Sequence, residues 1–310
     1  MKANIYISKI LSLIIVLFVI ISITFFLLRL LPGGPFDSEK RLPPQIKENI
    51  EKKYKLDQPL LKQYLYYIKD TLSGNFGMSY SYPDKSVKEI ISDSYLISIK
   101  IGLISITFTL ITTVILSCYM FNNKSRLCNL VKNILYLFVG VPTFLIGAIL
   151  IILFSIKLDL INFGIINKPS DYLLPILTLS LPSISYLSNL LTESMEETKT
   201  TMFARIARIN KIGKKEYLYK YILLNSIVPL VTAIGPISAF MITGSFVVES
   251  IFAIPGTGKL FVFSIINRDY TLICGLTIFY SIILLLINST IDLCYPLIDK
   301  RIKNENKNWY

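Results

Sequence analysis

The sequence has no histidine among its 310 residues. The imidazole side chain that most often serves as a general base or as a metal ligand is therefore absent. The four cysteines lack the Cys-x-x-Cys spacing of metal and redox sites, and no G-x-x-x-x-G-K-[ST] loop is present to hold nucleotide phosphates. Charged residues make up only 17% of the chain, against roughly 25% in soluble domains. These deficits argue against a soluble enzyme, a metal site and a catalytic residue set.

What the sequence has instead is long apolar segments. Hydrophobic residues form 53% of the chain and the mean hydropathy is +0.59, which excludes a disordered chain. A membrane-spanning helix needs about 20 apolar residues, and the segments of suitable length are 10–31, 96–121, 134–156, 172–192, 226–248 and 271–296. The first exceeds the roughly 7–15 apolar residues of a signal peptide, so we interpret it as an uncleaved span. The sequence predicts an all-α membrane protein with six spans.

The distribution of charge predicts the orientation of these spans. The net charge is +12, and lysine and arginine gather in the loops 122–133 and 193–225 and in the C-terminal tail. Short basic loops stay in the cytoplasm, so both termini of this multi-pass plasma-membrane protein are expected there. This orientation also accounts for the positive net charge without nucleic-acid binding. The predicted parts are the N-terminus with the first span (1–31), an extracellular segment (32–95), a transmembrane core (96–296) and a cytoplasmic tail (297–310).

The extracellular segment is expected to contain short helices. A polar helix is predicted near 45–54, after a Pro-Pro pair, and a second helix is predicted over 58–72. The second helix would place one apolar stripe along its length, formed by Leu61, Tyr64, Leu65, Ile68 and Leu72. Gly74 is expected to end it. Two roles remain open for the segment: binding a partner that delivers a ligand, or capping the spans.

The loop 193–225 is too long to be a simple helix connection. Its apolar residues recur at near-helical spacing, with Arg205, Arg208 and Lys211 between them, which predicts a short amphipathic helix with a basic face. Asn210 and Gly213 are the candidates for a turn with positive φ, and a second helix is predicted near 214–224. Such a helix could lie on anionic lipid or dock in the groove of a cytosolic partner.

The same loop resembles the coupling loop of a known family. The run Phe203-Ala204-Arg205-Ile206-Ala207-Arg208, with Asn225 and Pro229 following, is similar to that of the membrane subunits of binding-protein-dependent ABC importers, in the branch that serves dipeptides, oligopeptides and nickel. Ordered patches along the rest of the chain agree with this resemblance: Arg29-Leu30-Leu31-Pro32-Gly33, Leu56-Asp57-Gln58-Pro59, Gly74-Asn75-Phe76-Gly77, Glu249 to Gly258, Arg268-Asp269-Tyr270, and Asn288 to Arg301. One departure is that the family's coupling-loop glycine falls on Lys211.

The resemblance implies a type I ABC importer permease that forms half of a peptide path and works by alternating access. It implies a second homologous permease subunit, two cytosolic ABC ATPases that carry ATP and Mg²⁺, and an extracellular solute-binding protein. This subunit would be no enzyme and would hold no cofactor of its own. The implied ATPase-coupling residues, with Phe203 as an aromatic knob in the ATPase cleft, are Phe203, Ala204, Arg205, Ala207, Arg208, Asn210, Lys211 and Gly213.

The resemblance also nominates residues near the ends of the last two spans. Candidates for an outer gate are Glu249, Phe252, Pro255, Gly256, Gly258, Arg268 and Asp269; for Glu249, capping of the outer loop is an equal alternative. Structural or path residues are Asn225, Pro229, Asn288 and Asp292. Three alternative functions stay open: a permease for nickel or another small solute, an ion-coupled secondary transporter, and a membrane scaffold.

Overall fold

In a computed structural model, residues 2–32, 34–35, 48, 52, 54–82, 84–162, 164 and 168–298 are described, with side-chain surroundings from 11 to 291 within those ranges. This part of the chain is helical, and its only β-type pairing is an isolated bridge between Met78 and Ser86. The helices are α1 (Lys2–Leu30), α2 (Leu60–Leu72), α3 (Val87–Asn122), α4 (Arg126–Gly140), α5 (Thr143–Leu150), α6 (Leu173–Lys199), α7 (Met202–Ile209), α8 (Lys214–Glu216, continued by a π-helical Tyr217–Leu223 and by Leu224–Ser226), α9 (Val228–Thr243), α10 (Phe246–Ile251), α11 (Thr257–Ile266) and α12 (Tyr270–Ile298). The predicted all-α class is confirmed.

Within the described residues, five helical segments are long and apolar enough to cross a membrane, and a bent pair would make a sixth. The five are Leu11–Leu30, Val87–Asn122, Pro169–Lys199, Val228–Ile251 and Tyr270–Ile291. They match five of the predicted spans, although α3 begins at Val87, inside the segment predicted to be extracellular.

The third predicted span, 134–156, is a bent pair of helices rather than one straight helix. Arg126–Gly140 and Thr143–Lys157 are two helices bent by 115° from each other. The chain breaks at Val141, whose backbone is extended (φ −81°, ψ 126°), immediately before Pro142. Proline lacks an amide hydrogen and disfavours helical geometry in the preceding residue; the helix ends before Pro142, whereas Pro182 and Pro236 lie inside continuous helices.

The chain divides into two compact units. The first unit consists of Met1–Leu96 and Pro255–Leu285, and the second of Ile97–Ile254 and Leu286–Tyr310.

In the first unit, α2 packs against α1 through aromatic rings. The buried Phe25 stacks on Tyr67 with ring centroids 5.2 Å apart and meets the edge of Tyr64 at 5.3 Å. The helix predicted at 58–72 is therefore present, and Gly74 ends it with φ +75°. Of the predicted apolar stripe, Tyr64 takes part in this packing, whereas Leu61, Leu65 and Leu72 are exposed. The helix predicted at 45–54 falls mostly outside the described residues.

In the second unit, small residues bring the spanning helices close together. A Cβ atom added to Gly102 of α3 would overlap Met241 O and lie 2.8 Å from Ile242 Cα, so α3 and α9 are in backbone contact there. Between α3 and α6, Ser180 Oγ donates to Ser105 O at 3.3 Å and Ser117 Oγ donates to Ser188 O at 3.1 Å. The small polar residues of the fourth span thus serve helix packing, as is common in membranes.

Candidate coupling surface and outer-loop contacts

The short helix α7 turns its smallest side chains toward the protein. Ala204 and Ala207 are buried. Ala204 belongs to a hydrophobic cluster of the second unit, and the half-buried Phe203 packs against that cluster. That cluster draws its residues from α3, α6, α8 and α9, and includes Leu187, Leu191, Met195, Leu218 and Ile222. Because alanine has no side chain beyond Cβ, α7 can approach the neighbouring helices closely. Phe203, which the resemblance nominates as an aromatic knob in the ATPase cleft, packs in part against this chain's own core.

The opposite side of α7 presents large apolar and basic side chains. Met202 and Ile209 are 77% and 76% exposed, and Ile206 lies between them on the same face. Arg205 and Arg208 flank this face and are also exposed. Among the described residues, neither guanidinium has a carboxylate within ion-pair distance. An apolar strip edged by free positive charge is suited to an acidic partner surface with an apolar groove.

The turn after α7 is built around Lys211. This residue adopts φ +52°, while Asn210 (φ −70°) and Gly213 (φ −55°) do not have positive φ. The amide of Ile212 donates to Ala207 O at 3.4 Å, and that of Lys211 donates to Arg208 O at 3.1 Å. This pair of bonds is the Schellman motif, which requires a left-handed residue. The prediction that Asn210 or Gly213 would make the turn was wrong.

Hydrogen bonds close the base of the loop that carries α7. Ser194 Oγ at the end of α6 donates to Ser226 O at the end of α8, at 3.0 Å. In return, Ser226 Oγ lies 3.2 Å from Ser194 O and 2.8 Å from Thr198 Oγ1. These buried contacts were not anticipated, since serine and threonine in apolar helices give no signal of their partners. They hold α6 and α8 together on either side of the segment that carries α7.

Asn225 and Pro229 mark the junction between α8 and α9. Asn225 is exposed, and its Nδ2 donates to Tyr221 O at 2.8 Å, one turn earlier. Pro229 stands in the first turn of α9, where a missing amide hydrogen does not interrupt the helix. Both residues therefore shape the break between the loop and the fifth span.

Of the outer-gate candidates, Glu249 and Phe252 belong to the second unit. Glu249 in α10 is buried, and Ser98 Oγ of α3 donates to its Oε1 at 2.8 Å. Phe252 is buried in a cluster with Leu174, Ile176 and Val248. These two residues therefore link α10 to the spanning helices around it.

The remaining outer-gate candidates belong to the first unit, where Asp269 is the central residue. Its buried carboxylate accepts hydrogen bonds from Ser79 Oγ and from the amides of Tyr80 and Ser81, both at 3.1 Å. The other carboxylate oxygen accepts from the amide of Leu272 at 3.1 Å, which caps the N-terminus of α12. Asp269 thus fixes the segment around residue 80 to the start of the last span.

Two neighbours of Asp269, Arg268 in sequence and Tyr80 in space, have defined surroundings of their own. Arg268, with φ +54°, donates from Nη1 to Pro32 O at 3.1 Å. Burial raises the pKa of the Tyr80 hydroxyl, and the negative charge of Asp269 raises it further while Arg29 opposes the shift. Tyr80 therefore keeps its proton and remains an uncharged member of the contact.

The glycine-containing turn before α11 is compact. Gly256 precedes the helix, and Thr257 and Gly258 in its first turn are buried. Tyr280 Oη of α12 donates to Thr257 O at 2.6 Å, while Pro255 is exposed. These residues anchor α11 to the last span.

Asn288, a path candidate near the end of α12, lies close to α9. A Cβ atom on Gly235 of α9 would lie 3.3 Å from Asn288 Oδ1 and 2.9 Å from Ile291 Cδ1, so α9 and α12 approach closely there. Asp292 is part of α12, but its side chain is outside the described surroundings. In the part of the chain that the structure describes, no group of histidine, cysteine and carboxylate side chains is arranged to hold a metal ion.

Comparison with known proteins supplies the context for these surfaces. The profile of the family described as "Binding-protein-dependent transport system inner membrane component" matches residues 92–304, and that of its N-terminal region matches residues 3–102. The chain is 34% identical to the oligopeptide transport system permease protein OppB of Haemophilus influenzae, over 93% of this chain and 95% of that one. It is 33% identical to the dipeptide transport system permease protein DppB of Bacillus subtilis, over 93% and 94%.

A solved structure supports the fold. The crystal structure of an amino acid ABC transporter contains a chain that superposes with a TM-score of 0.52 at 14% identity, covering 67% of this chain and 94% of that one. At this identity the likeness concerns the fold alone. Together with the family profiles, the spanning helices and the coupling-type loop, it leads to one conclusion: this chain belongs to the family of binding-protein-dependent transport system inner membrane components.

Proposed function

We propose that this chain is a permease subunit of an ATP-driven peptide importer and that it forms half of the translocation path. The cargo proposal is supported by relatives whose names specify oligopeptide or dipeptide transport, at 33–34% identity along nearly the whole chain. The coupling proposal is carried by the outward face of α7, where exposed Met202, Ile206 and Ile209 lie beside Arg205 and Arg208.

In this proposal, α7 transmits movement of a cytosolic ATPase to the spanning helices. The apolar strip would sit in a groove of the ATPase, and the two arginines would pair with acidic residues at its rim. Because Ala204 and Ala207 seat α7 tightly on the cluster between α3, α6, α8 and α9, displacement of α7 would move those helices as a body. The path would then alternate between inward-open and outward-open states, biased by nucleotide and by the loaded binding protein.

The proposed assembly contains one further homologous permease, two ATPases and an extracellular solute-binding protein. ATP and Mg²⁺ would bind the ATPases, since this sequence contains no phosphate-binding loop. Both termini and the loop 193–225 would face the cytoplasm, in agreement with the basic residues of that loop.

Uptake measurements on a strain deleted for the gene test the cargo. We expect loss of uptake of labelled di- and oligopeptides, restored by the intact chain. The matched control is the deletion strain that carries the empty vector, which should not restore uptake. Normal peptide uptake in the deletion strain, with loss of nickel uptake instead, would overturn the peptide assignment while leaving the importer assignment standing.

A further inference from the structure

The helix α2 (Leu60–Leu72) has three distinct faces. One face contacts α1 through Tyr64 and Tyr67. A second face is polar, with Lys62, Lys69 and Asp70. The third face, about a quarter-turn from the first at 100° per residue, is apolar and consists of Leu61, Leu65, Ile68 and Leu72.

The apolar face of α2 is largely uncovered. Leu61, Leu65 and Leu72 are 66%, 60% and 83% exposed, and they follow one another at spacings of four and seven residues. Removing leucine side chains from water is favourable, so a contiguous exposed stripe of this kind marks a contact surface. Whether water, lipid or protein covers this face depends on the depth at which α2 lies in the membrane.

The contacts with α1 define the depth at which α2 lies. Both aromatic contacts centre on Phe25, five residues before Leu30, where the apolar helix ends. At a rise of 1.5 Å per residue, this contact lies about 7 Å inside the end of the first span. Ser22 Oγ, about 12 Å inside by the same rise, lies within hydrogen-bond distance (2.7 Å) of Tyr64 Oη. With the end of this apolar helix taken as the edge of the hydrocarbon core, these contacts place the rings of Tyr64 and Tyr67 at the depth of the outermost acyl-chain segments.

The polar contacts of α2 with α1 occur at the end of the span. Arg29 Nε donates to Gln63 Oε1 at 3.0 Å, and the guanidinium lies 3.5 Å from the centre of the Phe25 ring. Gln63 Nε2 in turn donates to Leu56 O and Gln58 O, at 3.0 and 2.8 Å. A charged group satisfied at headgroup level, with aromatic contacts just below it, is the arrangement of a membrane interface.

We infer that α2 is an interfacial helix whose leucine face contacts lipid acyl chains in the leaflet that holds the C-terminal end of α1. Amphipathic interfacial helices place their apolar face about 5–10 Å into the boundary between headgroups and chains, and the contact at Phe25 has this depth. Lys62 and Lys69, on the polar face, would reach the headgroups. The segment after the first span would thus be anchored in the bilayer rather than held above it.

Nitroxide labelling tests this inference in the assembled complex in lipid nanodiscs. The native cysteines are replaced by alanine, and a label is placed at Leu65→Cys, with Asp70→Cys as the control on the polar face, 140° around the helix. A label at Leu27→Cys, on the exposed side of the first span, provides the lipid reference. We expect oxygen to collide with the Leu65 label several-fold more often than the polar reagent Ni-EDDA does, as at Leu27, and the reverse at Asp70.

Two results would overturn the inference. Frequent collisions of Ni-EDDA with the Leu65 label would place the leucine face in water. Rates for both reagents far below those at Leu27 would mean that protein, such as the second permease subunit, covers the face. Neither result bears on the proposed cargo, because the readout requires the assembled complex but no transport.

Discussion

At the scale of single residues, several helix ends close on a left-handed residue that is not glycine. Lys211, Ala253 and Arg268 have φ of 52°, 53° and 54°, each just beyond the end of a helix. A left-handed residue with a side chain costs about 1–2 kcal/mol, so these positions are tolerated because the surrounding contacts require them. At Lys211 the positive φ is required by the packing of α7. If the turn moved by one residue, α7 would rotate by 100° and its buried alanines, Ala204 and Ala207, would leave the core.

This strain predicts an unusual response to substitution at Lys211. Lys211→Gly should stabilise the assembled complex by about 1 kcal/mol, because glycine adopts positive φ without steric cost, and peptide uptake should be retained. The same substitution at Lys214, in the first turn of α8, should destabilise by about the same amount, since glycine is unfavourable in a helix. Thermal unfolding of the purified complexes measures both, and equal shifts for the two variants would contradict this account.

The Asp269 carboxylate should be one of the most sensitive polar groups of the first unit. Asp269→Ala leaves buried donors on Ser79, Tyr80 and Leu272 without their acceptor, which should cost about 3 kcal/mol. Asp269→Asn keeps one acceptor oxygen and should lie between the wild type and alanine. A drop in apparent melting temperature measures the effect, with the exposed Asp93→Ala as control; an equal, small drop for both alanine variants would mean that Asp269 does not hold the outer segment.

At the scale of elements, the sequence predicted helix positions better than helix orientation. The helix over 202–209 and its successor were predicted from spacing and charge, and both are present. The periodicity could not say which face is buried, because α7 has a face of small residues and a face of large apolar ones. The small face packs inward, since only alanine permits close backbone approach, and this leaves Met202, Ile206 and Ile209 exposed.

Sequence pattern likewise did not predict the packed face of α2 or the break in the third apolar segment. In α2, aromatic residues rather than leucines form the packed face, because their rings meet Phe25. In the segment 134–156, length and hydropathy indicated a span, but proline is tolerated in some membrane helices and breaks others. Only the packing around Pro142 decides between these outcomes, and sequence pattern does not contain it.

Contact between α3 and α9 gives a prediction for the packing of spans. Gly102→Ala would press a methyl group against the backbone of Met241 and Ile242, which requires the helices to separate. We expect a loss of stability of about 1–3 kcal/mol, typical of overpacked cores, and impaired transport. Gly140→Ala is the control, because no atom lies within 4 Å of the added methyl group. Similar melting temperatures and uptake for both variants would argue against this close approach.

The basic edge of α7 gives a prediction for coupling. Arg205→Glu together with Arg208→Glu would place like charges opposite an acidic partner surface, which costs several kcal/mol. ATPase association should weaken by at least about tenfold, or 1.4 kcal/mol, while the chain still inserts into the membrane. The variant Lys214→Glu/Lys215→Glu carries the same charge change outside α7 and should bind ATPase normally. Unaltered ATPase binding by the α7 variant would indicate that α7 lies on the lipid surface instead.

At the scale of the whole molecule, the sequence indicated the spans because bilayer thickness imposes a length that local packing cannot alter. It also indicated the family, because the ordered motifs extend from the end of the first span through the loop 193–225 to the end of the last span. The division into two compact units, with Glu249 and Asp269 in different ones, was not apparent. Residues that are close in sequence had suggested a single outer gate, whereas each of these two carboxylates is held by its own partners.

The central claim is that this chain couples cytosolic ATPases to a transmembrane path through α7. Affinity purification of the chain from its native membrane in mild detergent, followed by quantitative mass spectrometry, tests it most directly. The account predicts one second permease and two P-loop ATPases for each copy of the chain, with the ATPases lost from the Arg205→Glu/Arg208→Glu variant. Recovery of the intact chain without any ATPase, under conditions that preserve a known importer of the same family, would contradict it.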